Sequence, residues 1–182
     1  MRIEVVDAVV GDRLEEAWKV YLSAFEHLRH TAVQRHVLYA EEFDGLMADP
    51  RVLKYLAFDD DDRVTAIATF TNVLETMTLV SSEYFEHRWP EAYRDGKIWY
   101  IGFTAVHPHA HGTGAFAEIV SQMTKIVSKV DGVAVVDICR RNDEVFKFPT
   151  AIARLIRSHA PHMRDHNLDA QTYYAYDFAR VG

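Results

Sequence analysis

Residues 106–116, VHPHAHGTGAF, combine histidines and glycines in a spacing that could support two kinds of chemistry. His107, His109 and His111 alternate, so on a strand their imidazoles would lie on one side and could ligate zinc or a similar ion. Pro108 and the glycines indicate that the chain leaves a strand here, and no acidic or cysteine ligand stands at a recognisable spacing. Three further histidines could complete a metal site only if the fold brings them next to this loop: His159, His162 and His166. We therefore expect polar loop histidines and no metal.

Gly112 and Gly114 offer the second chemistry, a loop that holds phosphates. A strand-like run precedes them and a helical run follows. The first N–H groups of a helix have no partners and attract anions, and glycine lets a backbone approach a phosphate closely. The dinucleotide fingerprint needs a third glycine near the first strand, and a P-loop needs G-K-[ST]. Both patterns are missing, which leaves a glycine-bearing strand-to-helix turn late in the chain.

The elements around this turn predict a mixed α/β domain. Apolar and polar residues alternate or cluster as in strands, or repeat every three to four residues as in helices. Asp12 is the predicted N-cap of the first helix, with Glu15 completing a capping box. We predict strands over 2–10, 51–58, 63–74, 97–106, 133–139 and 171–178, helices over 11–29, 36–49, 113–130 and 148–160, and a helical or irregular excursion over 81–96. The later strand–helix–strand part requires a parallel pair.

Composition excludes several classes of protein. The 182 residues include 20 Lys and Arg against 27 Asp and Glu, a formal charge of −7 that disfavours nucleic-acid binding. Cys139 is the lone cysteine, so no internal disulfide is expected, which suits a reducing cytosol. No signal peptide or membrane-spanning run is visible. The four aspartates at 59–62 predict a solvated hairpin tip and not a calcium site. We expect a cytoplasmic protein without a membrane or nucleic-acid partner.

The segment IGFTAVHPHAHGTGAFAEIV resembles the central motif of the GNAT N-acetyltransferase superfamily. That motif is a strand ending in V-x-P, an R/Q-x-x-G-x-G/A loop and a helix. The order of elements is also similar over nearly the whole chain. The resemblance implies one GNAT-like domain over residues 1–182, with a central mixed β-sheet flanked by helices. It further implies an N-acyltransferase that moves an acetyl or other acyl group from coenzyme A to a small-molecule amine by direct attack in a ternary complex.

The resemblance implies which residues hold acetyl-CoA or another acyl-CoA. Anchoring on Val106 and Pro108 puts His111 at the Arg/Gln position, Gly114 at the first glycine and Phe116 where Gly or Ala is usual. A second register starts at His109 and uses Gly112 and Gly114 as the glycine pair. The implied cofactor-binding residues are Ala105, Val106, His111, Gly112, Thr113, Gly114, Ala115 and Phe116, and Asn142 matches an asparagine that follows the fifth strand of the family. Phe116 either reshapes the pyrophosphate site or starts the apolar stripe of the helix.

The resemblance also implies the catalytic positions. The backbone N–H of Val106, with Ala105 as its neighbour, would bind the thioester oxygen. Tyr100 stands where many members carry a glutamate base. Other candidate bases are a water chain, Glu75, Glu83 and Glu86. The usual tyrosine acid would fall near Pro149, so the match fails, and candidate substitutes are Ser158, His159, Tyr173, Tyr174 and Tyr176. We predict Val106, Tyr100 and Tyr173 as the catalytic set.

The sequence is also compatible with two other functions. The missing glutamate and tyrosine also suit a non-catalytic GNAT-like module that binds acyl-CoA. The aromatic excursion TMTLVSSEYFEHRWP and Phe116 also suit a longer acyl chain, delivered by acyl carrier protein. The excursion would line an acceptor or acyl pocket, since loops beside a rigid sheet commonly form substrate sites. A homodimer is left open as well.

Overall fold

A computed structural model describes residues 1–78 and 80–178, and these form one sheet with helices on its faces. The strands are β1 (Arg2–Val6), β2 (Leu53–Phe58), β3 (Val64–Thr71), β4 (Ile98–Val106) and β5 (Val133–Val136). The helices are α1 (Asp12–Phe25), α2 (Leu28–Thr31), α3 (Ala40–Ala48), α4 (Ser82–Arg88), α5 (Pro90–Arg94), α6 (Ala115–Lys129), α7 (Arg140–Glu144) and α8 (Phe148–His159), and short 3-10 turns cover Leu74–Thr76 and Pro108–Ala110. The aromatic segment TMTLVSSEYFEHRWP includes Leu79, which lies outside the described residues.

The strands follow one another across the sheet in chain order, β1-β2-β3-β4-β5. The first three pairs are antiparallel and the last, β4 with β5, is parallel. The parallel pair needs a crossover, and α6 supplies it, because a parallel neighbour cannot be reached by a tight turn. The predicted mixed α/β sheet is therefore confirmed, as is the hairpin with the four aspartates at its exposed tip.

Apolar side chains pack on both faces of the sheet. On one face α1 and α3 bring together an aromatic cluster in which Tyr21 contacts Trp18, Phe25, Phe43 and Phe103 at ring-centroid distances of 4.8–5.6 Å. On the other face α6 buries every fourth residue against the strands: Ala115, Ile119, Met123 and Val127. Because both layers are anchored on the central strands, the sheet is the rigid frame to which the loop 107–114 is attached.

The predicted capping of α1 is wrong. Gly11, and not Asp12, is the N-cap residue, and Asp12 is the first residue of the helix. Gly11 has φ 60°, a conformation that glycine adopts without steric cost, and its carbonyl accepts the N–H of Leu14 at 2.9 Å. The backbone therefore starts this helix without a side-chain cap. The next long helix, α3, also begins later than predicted, at Ala40, where the Glu42 carboxylate accepts the Tyr39 N–H at 2.8 Å.

The end of the chain differs from the prediction. The strand expected over 133–139 covers only Val133–Val136, and it is an edge strand with exposed residues, not a buried one. The closing strand expected over 171–178 is wrong, since that segment contains neither strand nor helix. Its aromatic pattern has high strand propensity, but propensity acts through packing on a neighbouring strand. Here the aromatic side chains stay exposed: Tyr173, Tyr174, Tyr176 and Phe178.

None of the helices in the two described ranges is both long enough and apolar enough to cross a membrane.

Lys54 is a fully buried lysine that joins two parts of the fold. Its ammonium donates to the carbonyl of Asp7, just after β1, at 2.8 Å and to the carbonyl of Asp49, at the end of α3, at 2.5 Å. The carbonyls at a helix C-terminus attract a cation. Burial lowers the pKa of Lys54 from 10.5 to about 8, although the negative charges of Asp49 and Asp7 oppose this change.

This pKa predicts an unusual gain of stability with alkaline pH. Between about pH 8 and 10.5 the unfolded chain holds a proton on Lys54 that the folded chain has released, so the free energy of unfolding rises with pH. We expect urea unfolding to show this rise in the native protein relative to Lys54→Met, with no pH-dependent difference between the two proteins below about pH 8. A difference that stays constant up to pH 10 would contradict the prediction.

Candidate active site

A gap opens where β4 and β5 part. The parallel pairing runs from Ile98 with Val133 to Ile101 with Val136, and there β5 ends. β4 continues to Val106, so residues 102–106 have no strand on their β5 side within the described part of the chain. At a rise of about 3.3 Å per residue, this free edge is about 13 Å long. An extended ligand could therefore lie beside β4 without displacing a strand.

A β-bulge at Gly102 marks the start of the free edge. Thr69 is opposite Phe103 and Phe70 is opposite Ile101, which leaves Gly102 without a partner. The extra residue reverses the alternation of side chains, so Tyr100 lies on the same face as Phe103. A Cβ on Gly102 would stand 2.6 Å from the Thr69 hydroxyl oxygen, so only glycine fits. That hydroxyl accepts the Phe103 N–H at 3.2 Å and thus replaces a strand hydrogen bond lost at the bulge.

The alternation of N–H groups along β4 shows which of them face the gap. The His107 N–H donates to the Thr65 carbonyl of β3 at 2.8 Å. Neighbouring residues of a strand direct their N–H groups to opposite sides, so the N–H of Ala105 faces β3 and those of Val106 and Thr104 face the gap. Val106 thus has the orientation that its predicted role requires. Thr104 is a second donor that the sequence did not reveal, because finding it requires the register of β3 with β4.

The loop after β4 presents unpaired N–H groups at the same end of the gap. Residues 108–110 form a 3-10 turn, and Gly112 and Gly114 follow with φ values of 86° and 88°. Gly114 is the N-cap of α6 and has no side-chain cap. Among the described residues no hydrogen bond reaches the N–H groups of Gly112, Gly114, Phe116 or Ala117. A Cβ at either glycine would meet nothing within 4 Å, so the space in front of the loop is open.

The remaining predicted loop residues surround these amides. His111 and Thr113 are exposed, and the Thr113 hydroxyl donates to the Ala110 carbonyl at 2.9 Å. Ala115 is buried in the first turn of α6, where its N–H approaches the Thr113 hydroxyl at 3.4 Å. Phe116 is half-buried and belongs to none of the three apolar clusters of the described core, so it does not start the core stripe of α6. Asn142 is half-buried in α7.

The histidines of the loop contact one another and nothing that completes a metal site. The His107 Nδ1 accepts the His109 N–H at 3.3 Å, and the two rings stack at 5.1 Å. Within residues 1–78 and 80–178, no three His, Cys, Asp or Glu side chains are grouped closely enough to hold a metal ion. His159 lies elsewhere, beside a 270 Å³ cavity between α6 and α8.

Tyr100 and Asp137 meet where β4 and β5 part. Tyr100 is 8% exposed, and its hydroxyl donates to the Asp137 Oδ1 at 2.6 Å. Burial raises the pKa of Tyr100 strongly, and the charge and hydrogen bond of Asp137 add to this effect. The phenol therefore stays protonated at neutral pH. Sequence reasoning missed Asp137, although the parallel register that pairs Tyr100 with Val135 places the residue two positions later on the same face.

The other candidate bases and acids lie elsewhere. Glu75 is exposed at the edge of a 250 Å³ cavity, where its own backbone N–H and the Tyr93 hydroxyl, at 3.1 Å, lower the pKa of its carboxyl group. Glu83 is exposed and accepts from Ser81, and Ser158 donates to the Leu155 carbonyl. Tyr173 is 47% exposed in the segment that forms no strand, so nothing in its placement links it to Tyr100.

Neither a protein-family model nor a curated protein matches the chain, but solved structures do. An aminoglycoside acetyltransferase from an uncultured soil metagenomic sample, in complex with trehalose, is 12% identical over 97% of this chain and 96% of its own, with a TM-score of 0.54. An aminoglycoside antibiotic 6'-N-acetyltransferase from Acinetobacter baumannii is 12% identical over 98% of this chain and all of its own, with a TM-score of 0.53. A ribosomal-protein-alanine N-acetyltransferase from Escherichia coli is 10% identical over 83% of this chain and 76% of its own, with a TM-score of 0.53.

The protein has the GNAT fold. Its five-stranded mixed sheet with flanking helices matches the sheet of these acetyltransferases, which confirms the fold that the sequence resemblance implied. At identities of 10–12% the likeness establishes the fold alone. A shared fold does not determine an activity, so the gap, the loop and the residues around them carry the functional conclusion.

The Thr69 hydroxyl gives a test of how the bulge is held. Thr69→Val should lower the free energy of unfolding by about 1–3 kcal/mol, because the partly buried Phe103 N–H would lose its acceptor. Thr69→Ser keeps the hydroxyl and removes only a methyl group, so it should lose less. Urea unfolding of the three proteins measures both effects, and a Val variant as stable as the Ser variant would show that the hydroxyl does not hold the bulge.

Proposed function

We propose that the protein is an N-acyltransferase that moves an acetyl or other acyl group from coenzyme A to a primary amine of a small molecule. One observation carries the proposal: the free edge of β4 leads directly into the turn before α6, where the N–H groups of Gly112, Gly114, Phe116 and Ala117 have no acceptor among the described residues. A pyrophosphate needs such N–H groups, and the extended arm that joins it to the thioester can pair with an open strand edge. The two requirements meet at Val106.

In this proposal, different backbone groups along β4 and the loop bind different parts of acyl-CoA. The N–H groups of Gly112, Gly114, Phe116 and Ala117 are the proposed donors to the pyrophosphate of acyl-CoA. The gap-facing N–H groups of Val106 and Thr104 are the proposed donors to the arm and to the thioester oxygen. A backbone donor aimed at that oxygen stabilises the negative charge that develops when an amine attacks the carbonyl carbon. These roles need backbone geometry more than side-chain identity, which is consistent with the unusual His111 and Phe116.

The acceptor is proposed to be a cationic amine. The protein carries a net charge of −7, which favours the approach of a positively charged small molecule. The solved structures with the same fold include aminoglycoside acetyltransferases. Aminoglycosides, which carry several amino groups, are therefore sensible first acceptors to test. The cytoplasmic location, the acyl carrier protein and the homodimer stay predictions from the sequence.

A non-catalytic acyl-CoA-binding module is the second candidate. It is favoured by Tyr100, an uncharged residue in the position where the GNAT resemblance implies a carboxylate. Thiol release from acetyl-CoA in the presence of an amine panel separates the two functions, since a binding module would bind acetyl-CoA and release no thiol.

Gly114 and Gly11 give a matched test of acyl-CoA binding. Both are N-cap glycines with positive φ and open space around the Cβ position, but Gly11 begins a helix on the opposite face of the sheet. Gly11, at φ 60° and ψ −142°, accepts a side chain less readily than Gly114, at φ 88° and ψ 0°, so glutamate should strain the backbone at Gly11 at least as much. Only Gly114→Glu places a negative charge among the loop amides. We expect Gly114→Glu to weaken acetyl-CoA binding by about tenfold or more in calorimetry. Gly11→Glu should bind as the native protein does, and equal affinities in both variants would contradict the loop assignment.

A further inference from the structure

Asp137 is an exposed carboxylate held from one side only. Its Oδ1 accepts the Tyr100 hydroxyl at 2.6 Å, and no lysine, arginine or histidine of the described residues forms a salt bridge with it. Asp95, just before β4, differs in this respect, since it pairs with both Arg94 and Lys97. Asp137 therefore has an oxygen and a full charge available for a ligand.

The position of this carboxylate is fixed by the strands. Val133 and Val135 of β5 pack with Ile98 and Tyr100 of β4 in one apolar cluster, and Asp137 continues the same face. α6 packs on the opposite face, against Trp99 and Ile101. Asp137 thus lies on the face of the sheet opposite α6.

The bulge links this carboxylate to the free edge of β4. Tyr100 is the last residue before the bulge that directs its side chain to the Asp137 face, and Thr104 is the first residue beyond it whose N–H faces the gap. A group that reaches the proposed thioester position beside Thr104 from the face that carries Asp137 passes the end of β5.

We propose that Asp137, oriented by Tyr100, binds the ammonium group of the acceptor and takes its proton before acyl transfer. This inference rests on the proposed acyltransferase function. Asp137 is the proposed catalytic base, and Tyr100 is a positioning residue, since its hydroxyl touches the carboxylate and not the substrate. The raised pKa of Tyr100 keeps this hydroxyl a donor, which leaves the second carboxylate oxygen to receive the proton.

The proposed step balances as follows. The ammonium gives one proton to the Asp137 carboxylate, which passes it to water because the side chain is exposed. The lone pair of the neutral amine forms the C–N bond to the thioester carbon, and the C–S bond then breaks. The second proton leaves the nitrogen and goes to the thiolate, which gives an amide and coenzyme A.

Two amines of different basicity test the proton transfer. Benzylamine is protonated at neutral pH, while aniline is mostly uncharged. Asp137→Asn keeps an oxygen for the Tyr100 hydroxyl and removes the charge. We expect it to lower kcat/KM for benzylamine by about 100-fold, the usual contribution of a general base, and to leave kcat/KM for aniline nearly unchanged. Calorimetric affinity for acetyl-CoA and the urea midpoint should match those of the native protein.

Asp131→Asn is the matched control. Asp131 is an exposed aspartate just before the other end of β5, and its φ of 50° suits asparagine. It should leave both rates unchanged. If Asp137→Asn does not fold, Asp137→Glu keeps the charge on a longer side chain and should retain the native ratio of kcat/KM for benzylamine to that for aniline, at lower rates for both.

Three results would overturn the inference. Equal losses with both amines would mean that Asp137 supports the fold or acyl-CoA binding only, and no loss with either would mean that it has no part in the reaction. If the native protein transfers the acetyl group to neither amine, nor to a wider amine panel, although it binds acetyl-CoA, the acyltransferase proposal fails and the role of Asp137 fails with it. Measuring the native protein first separates these cases: if it is active, the acyltransferase proposal stands and only the role of Asp137 is in question.

Discussion

β4 remains paired with β3 beyond the point at which its other neighbour, β5, ends. The bulge at Gly102 makes this arrangement stable, because the Thr69 hydroxyl takes over a hydrogen bond that the sheet can no longer supply. The strand keeps its pairing with β3 up to Val106, so the free edge is rigid and not a loop. A ligand that binds along this edge meets N–H groups that are already in place. Binding therefore does not have to order a mobile segment, and no conformational entropy is lost for that purpose.

The sequence predicted the parts of this site that depend on local pattern. The aromatic and β-branched run before the loop predicted β4, and the two glycines predicted the turn into α6. Asp137 and Thr104 could not be found in this way, because their relevance comes from the register between strands that are distant in sequence. The cap of α1 shows a third case: Asp12 fits the statistics of N-caps, but the left-handed backbone of Gly11 determines where the helix starts.

The segment 171–178 shows that a high strand propensity does not by itself produce a strand. Tyr174, Tyr176 and Phe178 alternate with a small and a polar residue as in a half-buried strand, and the pattern alone supports that interpretation. A strand also needs an edge with which to pair and a surface on which to pack. Leu168 reaches the apolar cluster beside β5, and the tyrosines after it remain exposed, so no strand among the described residues pairs with this segment.

The outer edge of β5 pairs with no strand among the described residues. A strand edge with free N–H and C=O groups can pair with the same edge of another molecule and start aggregation. β5 is only four residues long, and a carboxylate lies just beyond each end, at Asp131 and Asp137. Two copies brought edge to edge would place like charges close together. The short, acidic ends of β5 thus protect the chain against unwanted association as well as framing the gap.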